Sequence, residues 1–208
     1  MKTGYRLAGA IIAWTGLILQ YIVIVQSGQY PSVGASTLAF IGYFTVTTNV
    51  LVALAFTAPL LASTGKLHSF FVRPPVRAAI ALYIVVVAIV FHTMLAQLFD
   101  FEGMAAVANL IVHTAVPVLF VIDWLVIAEK RPMRYKHLPY WVIYPLVYGS
   151  FTIVRGLLTG AYPYPFLDVN ALGLVNVFIN LAGFIALFAV GGAVFITIGR
   201  ALSKAAEK

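Results

Sequence analysis

The chain has 208 residues, of which 62% are hydrophobic and only 9% are charged, with a formal net charge of +7. A soluble domain of this length could not bury so much apolar surface in one core, and a disordered chain needs the opposite composition. Because the chain lacks cysteine, it has no disulfide, no thiolate nucleophile and no cysteine-based metal site. The composition therefore predicts an integral membrane protein.

Six apolar runs are long enough to cross a hydrocarbon core of about 30 Å as helices of about 20 residues. They are continuously apolar, whereas the strands of a membrane barrel alternate apolar and polar residues. The segments between them carry Pro, Gly or charge clusters and are too short for a separate soluble domain. The sequence predicts an all-α, polytopic membrane protein with a single six-helix transmembrane domain over residues 1–208. The predicted spans are 5–25, 38–62, 76–98, 104–128, 138–158 and 172–198.

Basic residues are distributed unevenly between the two ends of the predicted helices. Twelve of the 13 Lys and Arg lie near the termini or in the second and fourth loops, and the other three loops hold none. The positive-inside rule then predicts that both termini are cytoplasmic. The net charge is explained by this topology and by anionic membrane lipids. No nucleic-acid partner is expected, because no base-reading module with interleaved aromatics is present.

Polar residues inside the predicted spans concentrate in the half of the bundle away from the basic loops. At about 1.5 Å per helical residue, Thr45 lies roughly 10 Å and His113 roughly 13 Å below the outer face. Polar groups in hydrocarbon need partners or water, so we expect one polar cavity that opens to the outside. The further polar residues in this half are Gln20, His92, Asn109, Arg155, Asn176 and Asn180.

Helical spacing groups these residues on common faces. Thr45, Thr48 and Asn49 share one face of the second predicted helix, and Asn109 and His113 share a face of the fourth. Threonine and asparagine in membrane spans often only bond across helices or back to a carbonyl. An intramembrane histidine has no inexpensive solvent partner, which favours a functional role for His113.

Two features of the fourth span have local structural consequences. Pro117 cannot donate to the carbonyl of His113, so the helix should bend one turn inward of the histidine. Asp123 lies near the cytoplasmic end with Lys130 nearby, which indicates a structural ion pair or a helix-end group.

Two further polar residues have a structural and a functional interpretation. Arg155 could snorkel to lipid headgroups or hold an anionic group of a substrate. His92 could be a packing residue or part of the site. The sequence alone leaves these alternatives open.

Three segments carry motifs in a fixed order. They are the threonine-bearing AFIGYFTVTTNVLV, the N-x-x-x-H-T segment NLIVHTAVPVLFVIDW, and VYGSFTIVRGLLTGAYPYPFLDVNALG with Arg155, Gly160, Tyr164 and Pro165. Together they resemble the androgen-induced and androgen-dependent membrane hydrolases, which cleave fatty-acid esters of hydroxy fatty acids. The resemblance covers most of the chain from the second span onward and is greatest to the family's bacterial six-helix branch. It implies a multi-pass protein of the bacterial cytoplasmic membrane.

The resemblance also implies a threonine-dependent intramembrane hydrolase of lipid esters, and neither a cofactor nor a metal is expected. Without gaps, the family's nucleophilic threonine falls on Thr45 and its histidine on His113. The family keeps an Asn three residues after that threonine, where this chain has Thr48 followed by Asn49. A shifted register would leave Thr47 or Thr48 as the nucleophile.

The residue types support this chemistry by themselves. A threonine hydroxyl needs a base to remove its proton, and neutral histidine is the usual base. Attack on an ester gives an acyl-threonine intermediate, whose oxyanion needs hydrogen-bond donors. The predicted catalytic residues are Thr45 and His113. The predicted substrate-binding or oxyanion residues are Asn49, Thr48, Asn109, Arg155, Asn180 and His92.

Two other classes of protein remain as alternatives. A small-solute or lipid transporter also places polar residues near the membrane centre, but it usually has inverted repeats and broken helices. The sequence displays neither feature. A haem-binding membrane electron carrier could use His92 and His113 as axial ligands on neighbouring helices.

Overall fold

A computed structural model describes residues 1–61, 65–129 and 133–206 of the chain. These residues form helices and connecting turns without any strand, which confirms the all-α prediction. Five helices are long and apolar enough to cross a membrane, or six if the bent pair of Val33–Ile41 and Phe44–Leu60 counts as one span. The protein thus has the helices of an integral multi-pass membrane protein.

The described segments contain ten α-helices, several of which are extended by π-helical or 3-10 turns. The α-helices are α1 (Lys2–Gln26), α2 (Val33–Ile41), α3 (Phe44–Thr57), α4 (Lys66–Phe71), α5 (Pro74–Val90), α6 (Gly103–Leu110), α7 (Val116–Ile122), α8 (Leu138–Thr159), α9 (Val169–Leu172) and α10 (Leu174–Ala206). The π-helical turns are Phe91–Leu95, Ile111–Ala115 and Asp123–Ile127, and the 3-10 turns are Ala58–Leu60, Ala96–Leu98, Tyr135–His137 and Pro165–Leu167.

α5 is the central helix of the bundle. Ten of its residues are buried, among them the small residues Ala78, Ala79 and Ala81, which let neighbouring helices approach closely. It packs against α3, α7 and α10, and α1 packs against α3 and α6. The outer helices α8 and α10 expose large apolar side chains such as Val154 and Val190. Such surfaces are stable against lipid and not against water.

The second predicted span is broken and not one straight helix. α2 begins at Val33 and ends at Ile41, and α3 restarts at Phe44 with a bend of 74° between the two. Gly42 caps α2, and a Cβ at this position would collide with the guanidinium of Arg155. Thr45 is the second residue of α3, so the depth counted along a straight helix from residue 38 does not apply to it.

The fourth predicted span responds to Pro117 with a π-helical turn. Pro117 has no N–H for the carbonyl four residues before it. The turn Ile111–Ala115 directly precedes α7, and the amide of Val116 donates to the carbonyl of Ile111. The sequence predicted a bend one turn inward of His113, whereas the disturbance is a wider turn that contains His113 itself.

Asp123 is held by two arginines that the sequence did not single out. It is completely buried and accepts from Nε of Arg6 at 3.0 Å and from the guanidinium of Arg77. Lys130, the neighbour considered in the sequence, lies outside the described residues. The cluster joins the starts of α1 and α5 to the end of the fourth span.

Candidate functional site

Thr45 lies in the first turn of α3, directly after the break in the helix. The first amides of a helix have no partner within it, and the amide of Thr45 donates to the hydroxyl of Tyr164 at 3.3 Å. The helix dipole favours negative charge at this position. Thr45 thus lies at the positive end of α3.

Tyr164 supplies the hydroxyl that meets the start of α3. It is buried and its ring stacks on Phe166 with a centroid distance of 5.1 Å. Burial raises the pKa of this phenol, while the hydrogen bond from the amide of Thr45 lowers it in part. Since the net shift is upward, Tyr164 keeps its proton at neutral pH and can donate it in a hydrogen bond. It was not among the predicted site residues, although the Tyr-Pro of the third motif pointed to it.

An apolar cavity adjoins Thr45 between α3, α5, α8 and α10. Its volume is about 70 Å³, several times the volume that one water molecule needs. The hydroxyl groups that line it belong to Thr45, Tyr148 and Tyr164. The other lining side chains are apolar, for example Leu181 and Phe184. This cavity is not the polar cavity expected from the sequence, because Asn109, Asn176 and Asn180 each donate to a backbone carbonyl instead of lining it.

His113 is buried and has a defined tautomer. Its Nδ1 lies 3.2 Å from the carbonyl oxygen of Asn109, and since a carbonyl only accepts, Nδ1 carries the proton. The ring stacks on Phe91 with centroids 3.6 Å apart. Within the described part of the chain, Nε2 has no hydrogen-bond partner. This is the arrangement that a general base requires.

Asn49 connects the turn of Thr45 to the turn of His113. Its Nδ2 donates to the carbonyl of Thr45 at 2.9 Å and to the carbonyl of Val112 at 3.2 Å. These two carbonyl oxygens therefore lie within about 6 Å of each other. Oδ1 of Asn49 is buried and has no partner. No hydrogen bond joins Thr45 directly to His113 among the residues described.

Thr47 and Thr48 are engaged in packing between helices. The hydroxyl of Tyr144 on α8 lies 2.7 Å from Oγ1 of Thr47 and 3.1 Å from Oγ1 of Thr48. Thr47 also donates to carbonyls of its own helix. Neither threonine lines the apolar cavity, which favours Thr45 over both as a nucleophile.

The remaining predicted residues lie around this centre without joining it directly. Nε2 of His92 lies 3.0 Å from Oγ1 of Thr114. Asn109 donates to the carbonyl of Ala105, and Asn180 donates at 2.9 Å to a carbonyl of the segment that carries Tyr164. Asn180 thus holds the loop that carries Tyr164. His92 and Asn109 instead contact the turn that carries His113.

Arg155 lies against the break between α2 and α3. Its guanidinium occupies the space beside Gly42, and Tyr148 donates to the carbonyl of Gly42 at 2.7 Å. No acid pairs with Arg155 in the described segments. The guanidinium is therefore a candidate partner for an anionic group that enters from the outer end.

Both histidines have other partners. The ring of His113 stacks on Phe91, and Nε2 of His92 lies 3.0 Å from Oγ1 of Thr114. No group of three His, Asp or Glu that could hold a metal ion occurs in the described ranges. This geometry does not favour the haem interpretation. No family model, curated protein or solved structure matches the chain.

Proposed function

We propose that this protein is an intramembrane hydrolase that cleaves lipid esters through an acyl-threonine intermediate. The observation that carries the proposal is the position of Thr45, at the start of α3, on the wall of an apolar cavity and tied by Asn49 to the turn of His113. An ester needs an apolar environment for its acyl chain and donors for the developing oxyanion. The resemblance to hydrolases of fatty-acid esters of hydroxy fatty acids suggests the substrate class.

In this mechanism, Nε2 of His113 takes the proton of Thr45 as Oγ1 attacks the ester carbonyl. The tetrahedral intermediate collapses, and His113 returns the proton to the departing alcohol. Water then attacks the acyl-threonine with His113 again as base, which releases the acid and restores the threonine hydroxyl. The hydroxyl of Tyr164 and the positive end of the α3 dipole would stabilise the oxyanion. The contact between Thr45 and His113 would close when substrate binds, as is common for catalytic hydrogen bonds.

The proposal includes six spans, with α2 and α3 as one broken span, and both termini in the cytoplasm of a bacterium. The distribution of basic residues supports it, and so does the meeting of Arg6 and Arg77 at one carboxylate. Reporter fusions at Lys66 and Asp168 should report opposite sides of the membrane. Two fusions on the same side would contradict this topology.

A lipid-like fluorophosphonate tests the enzymatic proposal, because it labels only activated hydroxyl nucleophiles. Mass spectrometry of the labelled protein should place the adduct on the peptide that contains Thr45. The adduct should disappear in Thr45→Ala and in His113→Ala. It should persist in Thr197→Ala, which removes an exposed threonine hydroxyl of α10. Labelling that survives Thr45→Ala would contradict the proposed nucleophile.

A transporter is the second candidate, because the structure contains the broken helix that the sequence did not display. The bend of 74° before Phe44 exposes a helix start inside the bundle, and transporters use such half-helix ends to bind anionic substrate groups. Liposomes that contain the protein distinguish the two functions. Release of fatty acid from an enclosed ester favours the hydrolase, whereas movement of the intact ester favours the transporter.

A further inference from the structure

Two arginines converge on one carboxylate near the basic end of the bundle. Asp123 accepts from Arg6 and from Arg77, which is 1% exposed. Arg77 also donates to the carbonyls of Ala55 at 2.8 Å and Phe71 at 3.4 Å. Two guanidinium groups carry one more positive charge than a single carboxylate can balance. The cluster of Arg6, Arg77 and Asp123 therefore carries one net positive charge, with Arg77 and Asp123 buried and Arg6 partly exposed.

The guanidinium of Arg77 is not fully hydrogen-bonded. Its Nε is buried and has no hydrogen-bond partner in the part of the chain that the structure describes, although nearly all buried donors in folded proteins are paired. Nη1 donates to two backbone carbonyls, and Nη2 donates to Asp123. An acceptor atom from outside the protein would satisfy the N–H of Nε.

A large cavity adjoins this charge cluster. Its volume is about 510 Å³, and its lining includes Lys2, Arg6 and Arg77. Val72, Val126 and other apolar residues also line it, together with one acid, Glu129. The cavity thus combines a surplus of positive charge with an apolar wall, which is the composition of a site for the interfacial part of a lipid.

We propose that this cavity binds a phosphate group, namely that of an anionic phospholipid in the adjacent leaflet. Guanidinium groups match phosphate oxygens in geometry and charge. Basic pockets between membrane helices on the cytoplasmic side bind anionic headgroups. The start of α1 belongs to the end of the bundle that the positive-inside rule assigns to the cytoplasm, where anionic headgroups would lie. Arg77 contacts the carbonyl of Ala55, near the opposite end of α3 from Thr45, so the site does not depend on the proposed hydrolase activity.

Thermal unfolding of the purified full-length chain in detergent tests this proposal. The protein is titrated with phosphatidylglycerol, with phosphatidylcholine and with inorganic phosphate. We expect phosphatidylglycerol to raise the Tm of the wild type more than phosphatidylcholine does. Lys2→Gln removes one charge from the wall and should weaken the apparent affinity for phosphatidylglycerol about five-fold.

Two more variants complete the comparison. Arg6→Gln removes the surplus charge and leaves Arg77 to pair with Asp123, so it should weaken binding at least as much as Lys2→Gln. Lys136→Gln removes an exposed lysine of the same charge that does not line the cavity, and should bind as the wild type does. Equal stabilisation of all variants, or equal effects of both lipids, would overturn the proposal. Stabilisation by inorganic phosphate alone, lost in Lys2→Gln, would assign the site to soluble phosphate and overturn the lipid as its source.

Discussion

Substitution of Tyr164 by phenylalanine removes one hydroxyl from the boundary between α3 and the apolar cavity. The amide of Thr45 then loses the acceptor that lies 3.3 Å away. A buried N–H without a partner costs about 1–3 kcal/mol, and each kcal/mol lowers the Tm of a chain of this length by about 2–4 °C. The oxyanion would lose one donor, which typically reduces kcat by about 100-fold or more.

The assay measures kcat and KM for a lipid ester together with the Tm. Tyr144→Phe is the matched control, because Tyr144 also bonds to threonine hydroxyls of α3 but does not line the cavity. We expect a large loss of kcat only in Tyr164→Phe, with KM little changed. Both variants should lose some thermal stability.

Two results would refute this reasoning. If Tyr164→Phe keeps the wild-type kcat while its Tm falls, Tyr164 only supports the loop and donates nothing to the transition state. If Tyr144→Phe loses as much activity as Tyr164→Phe, the loss reflects a general loosening of α3 and not the removal of a donor at the cavity.

Three further predictions concern the site and its supports. Thr45→Ala and His113→Ala should each abolish ester hydrolysis, and the double variant should be little worse than either, because the two residues act as one unit; additive losses in kcat would contradict this. Gly42→Ala should lower the Tm, because the new Cβ would displace the guanidinium of Arg155 and lie 3.0 Å from the carbonyl oxygen of Ala39; Gly34→Ala, whose Cβ would meet only Oγ of Ser32 at 3.8 Å, should not. Asp123→Asn leaves the buried guanidinium of Arg77 without a countercharge, so it should destabilise the protein by about 3–5 kcal/mol, measured as lower Tm or yield of folded protein.

The helices could be predicted from the sequence because their determinants are local. A helix forms its hydrogen bonds between residues four apart. A continuous apolar run that is bounded by Pro and Gly is therefore sufficient to predict a membrane helix. α8 runs from Leu138 to Thr159, close to the predicted span 138–158, and ends at Gly160 with a φ of 72°. A disturbance of the fourth span was also predictable, since Pro117 lacks the N–H for the carbonyl of His113, although it was predicted as a bend one turn inward of the π-helical turn that contains His113.

The site, in contrast, was decided by contacts between residues far apart in the sequence. The break at Gly42 depends on a guanidinium from α8, and the start of α3 meets Tyr164 from a loop 119 residues further along the chain. Likewise, Asp123 accepts a hydrogen bond from Arg6, which is 117 residues away in the sequence. No local pattern encodes such partners, because they depend on how whole helices pack. Composition and periodicity therefore determined that the chain forms membrane helices, whereas packing decided that Thr45 lies at a helix start beside an apolar cavity.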